Sequence, residues 1–225
     1  MAVLLIVVIF VVLYGPFAWA RSVLKRFDRE EYFSGNGFDL AHLMIDRLQL
    51  SGVSVAETPI GDHYDPEKKI IGLTRKRCGR RTLTAVVVAA HEVGHAIQDH
   101  AQYGPLRTRT RLVGWAARIE RIGAAVMMVV PVVALITRVP ATGALIFLGG
   151  LGTLCIPLMI HLLTLPAEFD ASFRRALPLL MEDRYIPPED IPAARKILLA
   201  CALTYVANAL VGLLNVWRWI RVLRR

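Results

Sequence analysis

The run TAVVVAAHEVGHAIQ at 84–98 sets His91, Glu92 and His95 into an otherwise apolar stretch that reads as one helix. Residues i and i+4 share a helix face, so His91 and His95 can both reach one metal ion. Glu92 follows the first histidine and can face a water held on that ion. Two imidazoles beside a carboxylate base are the pattern of zinc-dependent hydrolysis. The competing reading is a helix with two core histidines and a buried glutamate. A charged Glu92 in such a place is costly without a partner.

The rest of the chain bounds where this chemistry takes place. Of 225 residues, 55% are hydrophobic, too many for an ordinary soluble domain. Four segments are candidate membrane elements: 1–20, uncharged; 122–137, interrupted by Pro131; 143–165; and 197–220. A span needs roughly 20 apolar residues. The first and third meet this, the second is slightly short, and the fourth carries several polar groups. Residues 1–20 lack a basic leader, and Arg21, Lys25 and Arg26 follow the apolar run. That order suits a retained anchor with the next domain in the cytoplasm. Cleavage after AWA at 18–20 is the alternative.

Charge agrees with a cytoplasmic placement. Residues 21–121 carry 17 Lys and Arg against 12 Asp and Glu, in a chain of net charge +9. RVPAT at 138–142 reads as the outer turn of a helical hairpin, which returns 166–196 to the face that holds His91. The tail WRWIRVLRR, with Arg218, Arg221, Arg224 and Arg225, opposes the usual charge bias if 197–220 spans. Thr204, Asn208, Gly212 and Asn215 form a polar, small-residue stripe on that segment, of the kind that packs against helices rather than lipid. Arginines at such ends serve topology and anionic lipid headgroups, and no nucleic-acid motif is present. Cys78, Cys155 and Cys201 are scattered, which implies no disulfide framework.

The fold class expected is a mainly α membrane protein with three to four hydrophobic helices and a small α+β unit carrying the HEVGH helix. Its parts are an anchor at 1–20, a cytoplasmic part at 21–121, a hairpin at 122–165, a polar segment at 166–196 and a hydrophobic helix with basic tail at 197–225. Within the polar part, 36–50 reads as an amphipathic helix with Leu40, Leu43, Met44 and Leu48 on one side. VSVAET at 53–58 and IIGLTRK at 70–76 read as strands, with GDHYDPEKK at 61–69 a polar turn between them. Thr82 or Thr84 caps the motif helix. An edge strand beside that helix could take an extended peptide by strand addition.

Two histidines and a water leave one protein ligand to find. His100 lies about 140° round the helix from His95 and faces away. The longer pattern HExxHxxGxxH fails, since Gln98 stands at its glycine and Ala101, one residue after His100, at its last histidine. Glu168, in LPAEFDASFRRAL after the third hydrophobic segment, is the better candidate, with Asp170 its rival. Alternatively both carboxylates cap a helix N-terminus behind Pro166. His161 reads as a packed or interfacial histidine.

HYDP at 63–66, TAVVVAAHEVGHAIQ at 84–98 and LPAEFDASFRRAL at 165–177 together resemble the YugP-type neutral zinc metallopeptidases of bacterial membranes. The resemblance covers nearly the whole chain. Residues 168–172 are also similar to the E-x-x-A-D region of the HtpX-like membrane gluzincins. There the resemblance implies that the glutamate is the third zinc ligand. Glu168 and Ala171 match that region, but Ser172 stands where the aspartate would be, and Asp170 is the residue placed to compensate.

The function expected is a zinc-dependent endopeptidase of the bacterial plasma membrane, with one zinc per chain. His91, His95 and Glu168 are its ligands and Glu92 its general base. His63, Tyr64, Arg174 and Arg175 are candidate oxyanion donors, with Asp170 as outer support. Substrates would be proteins or peptides near the cytoplasmic membrane surface, with membrane lipid as the other partner. A silent metal-binding scaffold and a channel are the competing classes. Almost no ionisable group lies within the hydrophobic segments, which argues against a translocation path.

Overall fold

The computed structural model describes residues 2–29, 35–137, 152, 156, 158–182 and 185–214. The chain is mainly helical with one small sheet. In order, it has α1 (Ala2–Arg26), α2 (Gly37–Arg47), β1 (Ser54–Glu57), β2 (His63–Asp65), β3 (Ile70–Leu73), α3 (Arg75–Gly79), α4 (Leu83–His100) and α5 (Gly104–Thr137). A helix over 158–182, here α6, contains a π-helical stretch at Asp170–Ala176. A short 3₁₀ turn (Pro188–Asp190) leads into α7 (Ile191–Leu214). The chain divides into two compact units. One comprises Gly15–Arg107 with Leu165–Thr204; the other comprises Met1–Tyr14, Thr108–Thr164 and Tyr205–Arg225.

Among the described residues two stretches, not three to four, are long and apolar enough to cross a membrane: Val7–Arg26 and Pro188–Val211. The first is only 11% buried, and its Leu4–Val12 neighbourhood exposes large apolar side chains; the second is 44% buried. Residues 122–137 are helical, but as the latter half of α5, which starts at Gly104. Most of 143–165, the expected turn at 138–142 and the tail at 217–225 lie outside the described residues. Of the expected packing stripe on the last segment, Asn215 and the surroundings of Gly212 lie outside what is described. Thr204 turns its hydroxyl onto the Ala200 carbonyl (2.6 Å) and Asn208 is exposed. Ala194, Ile197, Leu198 and Cys201 are the packed residues.

The first unit holds the core. Asn36 and Asp39 form a reciprocal capping box that starts α2. Its buried side is Leu40, Ala41, Met44 and Ile45; Leu43, expected inside, is exposed, because the helix turns one position further than the leucines suggest. Gly37 is required by closeness, since a Cβ there would lie 2.8 Å from the backbone oxygens of both Ala85 and Arg77.

The sheet has the order β1-β3-β2, with β1 parallel to β3 (Val55↔Ile71) and β2 antiparallel to it (Tyr64↔Ile71). β2 falls inside the stretch expected to be a turn. It has three residues, two of them polar, so no apolar alternation announces it. The second expected strand stops at Leu73. Asp62 Oδ1 accepts from the Thr74 backbone N–H (2.7 Å) and hydroxyl (2.8 Å), and the chain turns into α3.

α4 begins where the Thr82 hydroxyl accepts from the Ala85 N–H at 3.1 Å. It is buried nearly all round, as a helix apolar on every side must be. The end of α1 is tied to its start. Thr84 donates to the carbonyls of Phe27 and Leu24, at 3.3 and 3.0 Å. Asp28, buried, gathers Lys76, Arg77, Arg80 and the Thr82 hydroxyl. Burial alone would raise the Asp28 carboxyl; these partners override it and hold it below the ordinary carboxylate value.

Candidate metal centre

His91 and His95 project from one face of α4, as their spacing dictates, with rings 4.8 Å apart. Glu168 comes from α6, and its Oε2 lies 3.4 Å from His91 Nε2 and 3.2 Å from His95 Nε2. One ligand atom from each of the three residues lies within 4.8 Å of the other two. All three side chains are 1–2% exposed, and Glu92 is 5% exposed beside them. Glu168 lies inside a helix that already runs from 158, so it caps no N-terminus and Pro166 starts none. Asp170 takes a different place from that of a ligand, bonded to Gln98 and Arg175.

The close approach of α4 and α6 rests on two backbone features. Gly94, inside HEVGH, faces Ala171, and a Cβ on it would lie 2.6 Å from the Ala171 carbonyl oxygen. The π-helical stretch begins two residues after Glu168 and carries Ala171 and Ser172. Such wide turns occur often at functional sites.

Behind the three inward atoms lies a second layer. Ser172 Oγ sits 3.0 Å from His91 Nδ1 and donates to the Leu198 carbonyl at 3.2 Å. Gln98 Oε1 lies 3.0 Å from His95 Nδ1. Its Nε2 donates to the Ala167 carbonyl and to Asp170 Oδ2, both at 2.8 Å. Arg175 Nε donates to the same Asp170 oxygen at 3.3 Å. Ser172 therefore occupies the place behind a histidine despite being no aspartate, and Asp170 reaches the other histidine through Gln98. Gln98 was not among the residues expected from sequence. Its signal was the i+3 spacing from His95, which puts both on one face.

The remaining candidates are engaged elsewhere. Tyr64 donates to Asp99 Oδ2 at 2.9 Å; burial first, and then the Asp99 carboxylate, push its phenol above the ordinary range, so it stays protonated. His63 Nδ1 contacts the Gly61 carbonyl at 2.8 Å. Arg174 is exposed, as is His100 at the end of α4. His161 stacks on Tyr205 with ring centroids 5.6 Å apart, a packed histidine. Cys78 and Cys201 are free, and Cys155 lies outside the described residues.

The donor set fits a zinc ion. Two imidazole nitrogens and one carboxylate oxygen, buried and convergent, are the three protein ligands of hydrolytic zinc sites, which leave a fourth position open. Glu168 is only 1% exposed. A carboxylate out of water beside imidazole lone pairs is costly unless a cation joins them.

Comparisons with known proteins agree with this chemistry. The model of a family described as "Putative neutral zinc metallopeptidase" matches residues 2–224. A curated relative from Bacillus subtilis (strain 168), named "Putative membrane protease YugP", is 31% identical over 217 residues. That match covers 90% of this chain and 87% of the relative. No solved structure matches. A family match over nearly every residue, joined to a buried cluster of His91 and His95 from α4 with Glu168 from α6, means that the chain belongs to the neutral zinc metallopeptidase family.

Proposed function

We propose that this protein is a membrane-embedded zinc endopeptidase in which His91, His95 and Glu168 hold one zinc ion and Glu92 is the general base. The convergence of the three buried ligands, with Glu92 on the same turn of α4, carries this reading. Zinc bound there would supply Lewis acidity, activating a water and polarising a peptide carbonyl. Glu92 accepts the proton of the attacking water and delivers it to the departing amine nitrogen. Its burial keeps bulk water from competing for that proton. Gly94 lets the helix that carries Glu168 approach closely enough for the third ligand to reach the first two.

The membrane part of the proposal is supported by the two apolar stretches, by the relative's name and by the basic cluster Arg21, Lys25 and Arg26 after the first stretch. By the positive-inside rule that cluster supports a catalytic unit on the cytoplasmic side. Substrates are then proteins or peptides presented at that membrane surface.

Wild type, Glu92→Gln and Glu168→Ala, purified in detergent, test the reading through zinc content and cleavage of an unstructured protein such as casein. Wild type and Glu92→Gln are expected to hold about one zinc per chain, with cleavage in wild type alone. Glu168→Ala is expected to lose the metal. Zinc-free wild type under metal-replete conditions would overturn the site. Zinc retained without cleavage of any unstructured protein would favour a metal-binding scaffold.

A further inference from the structure

The bases of two distant segments meet on one surface, and peptide hydrolysis uses none of them. Residues 21–29 and 75–81 carry nine Lys and Arg against one acid, Asp28. Asp28 is buried two residues beyond the end of α1 and binds Lys76, Arg77 (3.0 Å) and Arg80 (3.3 Å). Asp62 takes a second contact from Arg77, at 3.6 Å. Two carboxylates thus hold three cations, and the clamp itself keeps a positive charge. Beside it, Lys25, Arg26 and Arg29 are exposed at the end of α1, and Arg75 and Arg81 are exposed on α3 and just after it. Glu57 shares a cavity wall with Arg75, and Glu30 and Glu31 lie outside the described residues.

One buried carboxylate needs one cation to satisfy it. The surplus bases repel one another, which costs stability unless something anionic lies against them. Their position names that partner. Val7–Arg26 is apolar and long enough to cross a membrane, and the clamp grips α3 directly beyond its last residue. Where α1 leaves the bilayer, α3 is therefore held at the level of the headgroups.

We propose that the end of α1 and the basic α3 form one docking surface for anionic phospholipid headgroups, with Asp28 as the clamp that joins them. The proposal rests on the membrane reading above and extends it to a segment far along the chain. The surface also fixes the height of the metal centre. At the start of α4, the Thr84 hydroxyl donates to the Leu24 carbonyl at 3.0 Å and its backbone N–H to the Phe27 carbonyl at 3.3 Å. His91 follows seven residues later, about 10 Å along the helix at 1.5 Å per residue. The peptide bonds within reach are then those of chains lying on the membrane surface or emerging from it.

The test places the full chain in lipid nanodiscs, either of phosphatidylcholine alone or of a mixture rich in phosphatidylglycerol. A water-soluble amine-acylating reagent is applied, and mass spectrometry follows the labelling of each lysine. Lys76, its side chain 55% exposed, reports on α3; Lys68, 74% exposed, is the control, since it precedes β3 whereas α3 follows that strand. Lys76 is expected to react about fivefold more slowly in the anionic discs, the factor equivalent to about 1 kcal/mol for a base at an anionic surface. High salt should abolish the difference, and Lys68 should show none. Arg75→Gln combined with Arg81→Gln leaves the Asp28 clamp intact and should shrink the difference below about twofold. Equal labelling of Lys76 in both discs, with the chain still embedded, would overturn the lipid surface and leave the membrane reading standing. So would equal slowing of Lys68. Protection of Lys76 by heparin but not by phosphatidylglycerol would overturn it in favour of a soluble acidic partner. A chain that elutes free of the discs in high salt would overturn the membrane reading, and this proposal with it.

Discussion

Gly94→Ala is the substitution whose effect follows most directly from the geometry. The added methyl would lie 2.6 Å from the Ala171 oxygen, 3.2 Å from its carbonyl carbon and 3.3 Å from its Cα. All three are backbone atoms, so no side chain can rotate away. Ordinary contact requires α4 and the π-helical stretch to part by roughly 0.5–1 Å. Overpacking of this kind costs about 1–3 kcal/mol, while replacing a helical glycine by alanine returns about 1 kcal/mol. The net loss of stability is therefore about 0–2 kcal/mol, a modest figure. The larger effect falls on the centre. The 3.2 and 3.4 Å separations between Glu168 and the two imidazoles are set across this same contact. A misplacement near 1 Å costs on the order of 10²-fold in rate, and zinc affinity should fall by at least about tenfold, or 1.4 kcal/mol. Chelator competition and urea unfolding in micelles measure the two quantities. Gly114→Ala on α5 is the control: nothing lies within 4 Å of its added methyl, so only the helix-propensity gain applies. If Gly94→Ala binds zinc like wild type and gains stability as the control does, the contact does not set the site.

Two further outcomes are expected. Asp28 has a depressed folded value, so its contribution is full above the ordinary 3.8 and is lost as pH falls below that through the folded value. Asp28→Asn should lower stability by about 3 kcal/mol at neutral pH and flatten the acid limb of the stability curve; an unchanged acid limb would contradict the role given to the cluster. Tyr64→Phe removes the bond to Asp99 and should cost about 1–2 kcal/mol with kcat and zinc affinity unchanged. A drop of kcat beyond about tenfold would instead put the phenol in the chemistry.

The sequence made the metal helix legible because i,i+4 spacing leaves two histidines nowhere to point but one face, and because apolar neighbours demand burial. Glu168 was visible as a carboxylate just beyond an apolar segment, though its company was not. No residue pattern announces a π-helical stretch, so the reach of Ser172 to His91 was hidden, and the missing aspartate looked like a loss. Gln98 entered only as the residue that breaks the HExxHxxGxxH pattern. Its role needs the Ala167 carbonyl, which only the folded chain brings near. β2 escaped because two of its three residues are polar. The inward set of α2 was misjudged at Leu43 because small and β-branched residues, Ala41 and Ile45, take the packed positions.

The clustered residues lie far apart along the chain: 73 positions separate His95 from Glu168, and 81 separate His91 from Ser172. At roughly 5–20 residues per second of synthesis, about 4–15 s pass between the emergence of the second histidine and that of the glutamate. During that interval the nascent chain holds HEVGH without Glu168 or the hydroxyl behind His91. The stretch made in between includes Thr108–Thr164, the longest piece of the other compact unit. The cluster of His91, His95 and Glu168 thus closes only after that stretch has been synthesised. A chain arrested before residue 168 carries the HEVGH motif without the carboxylate that completes its cluster.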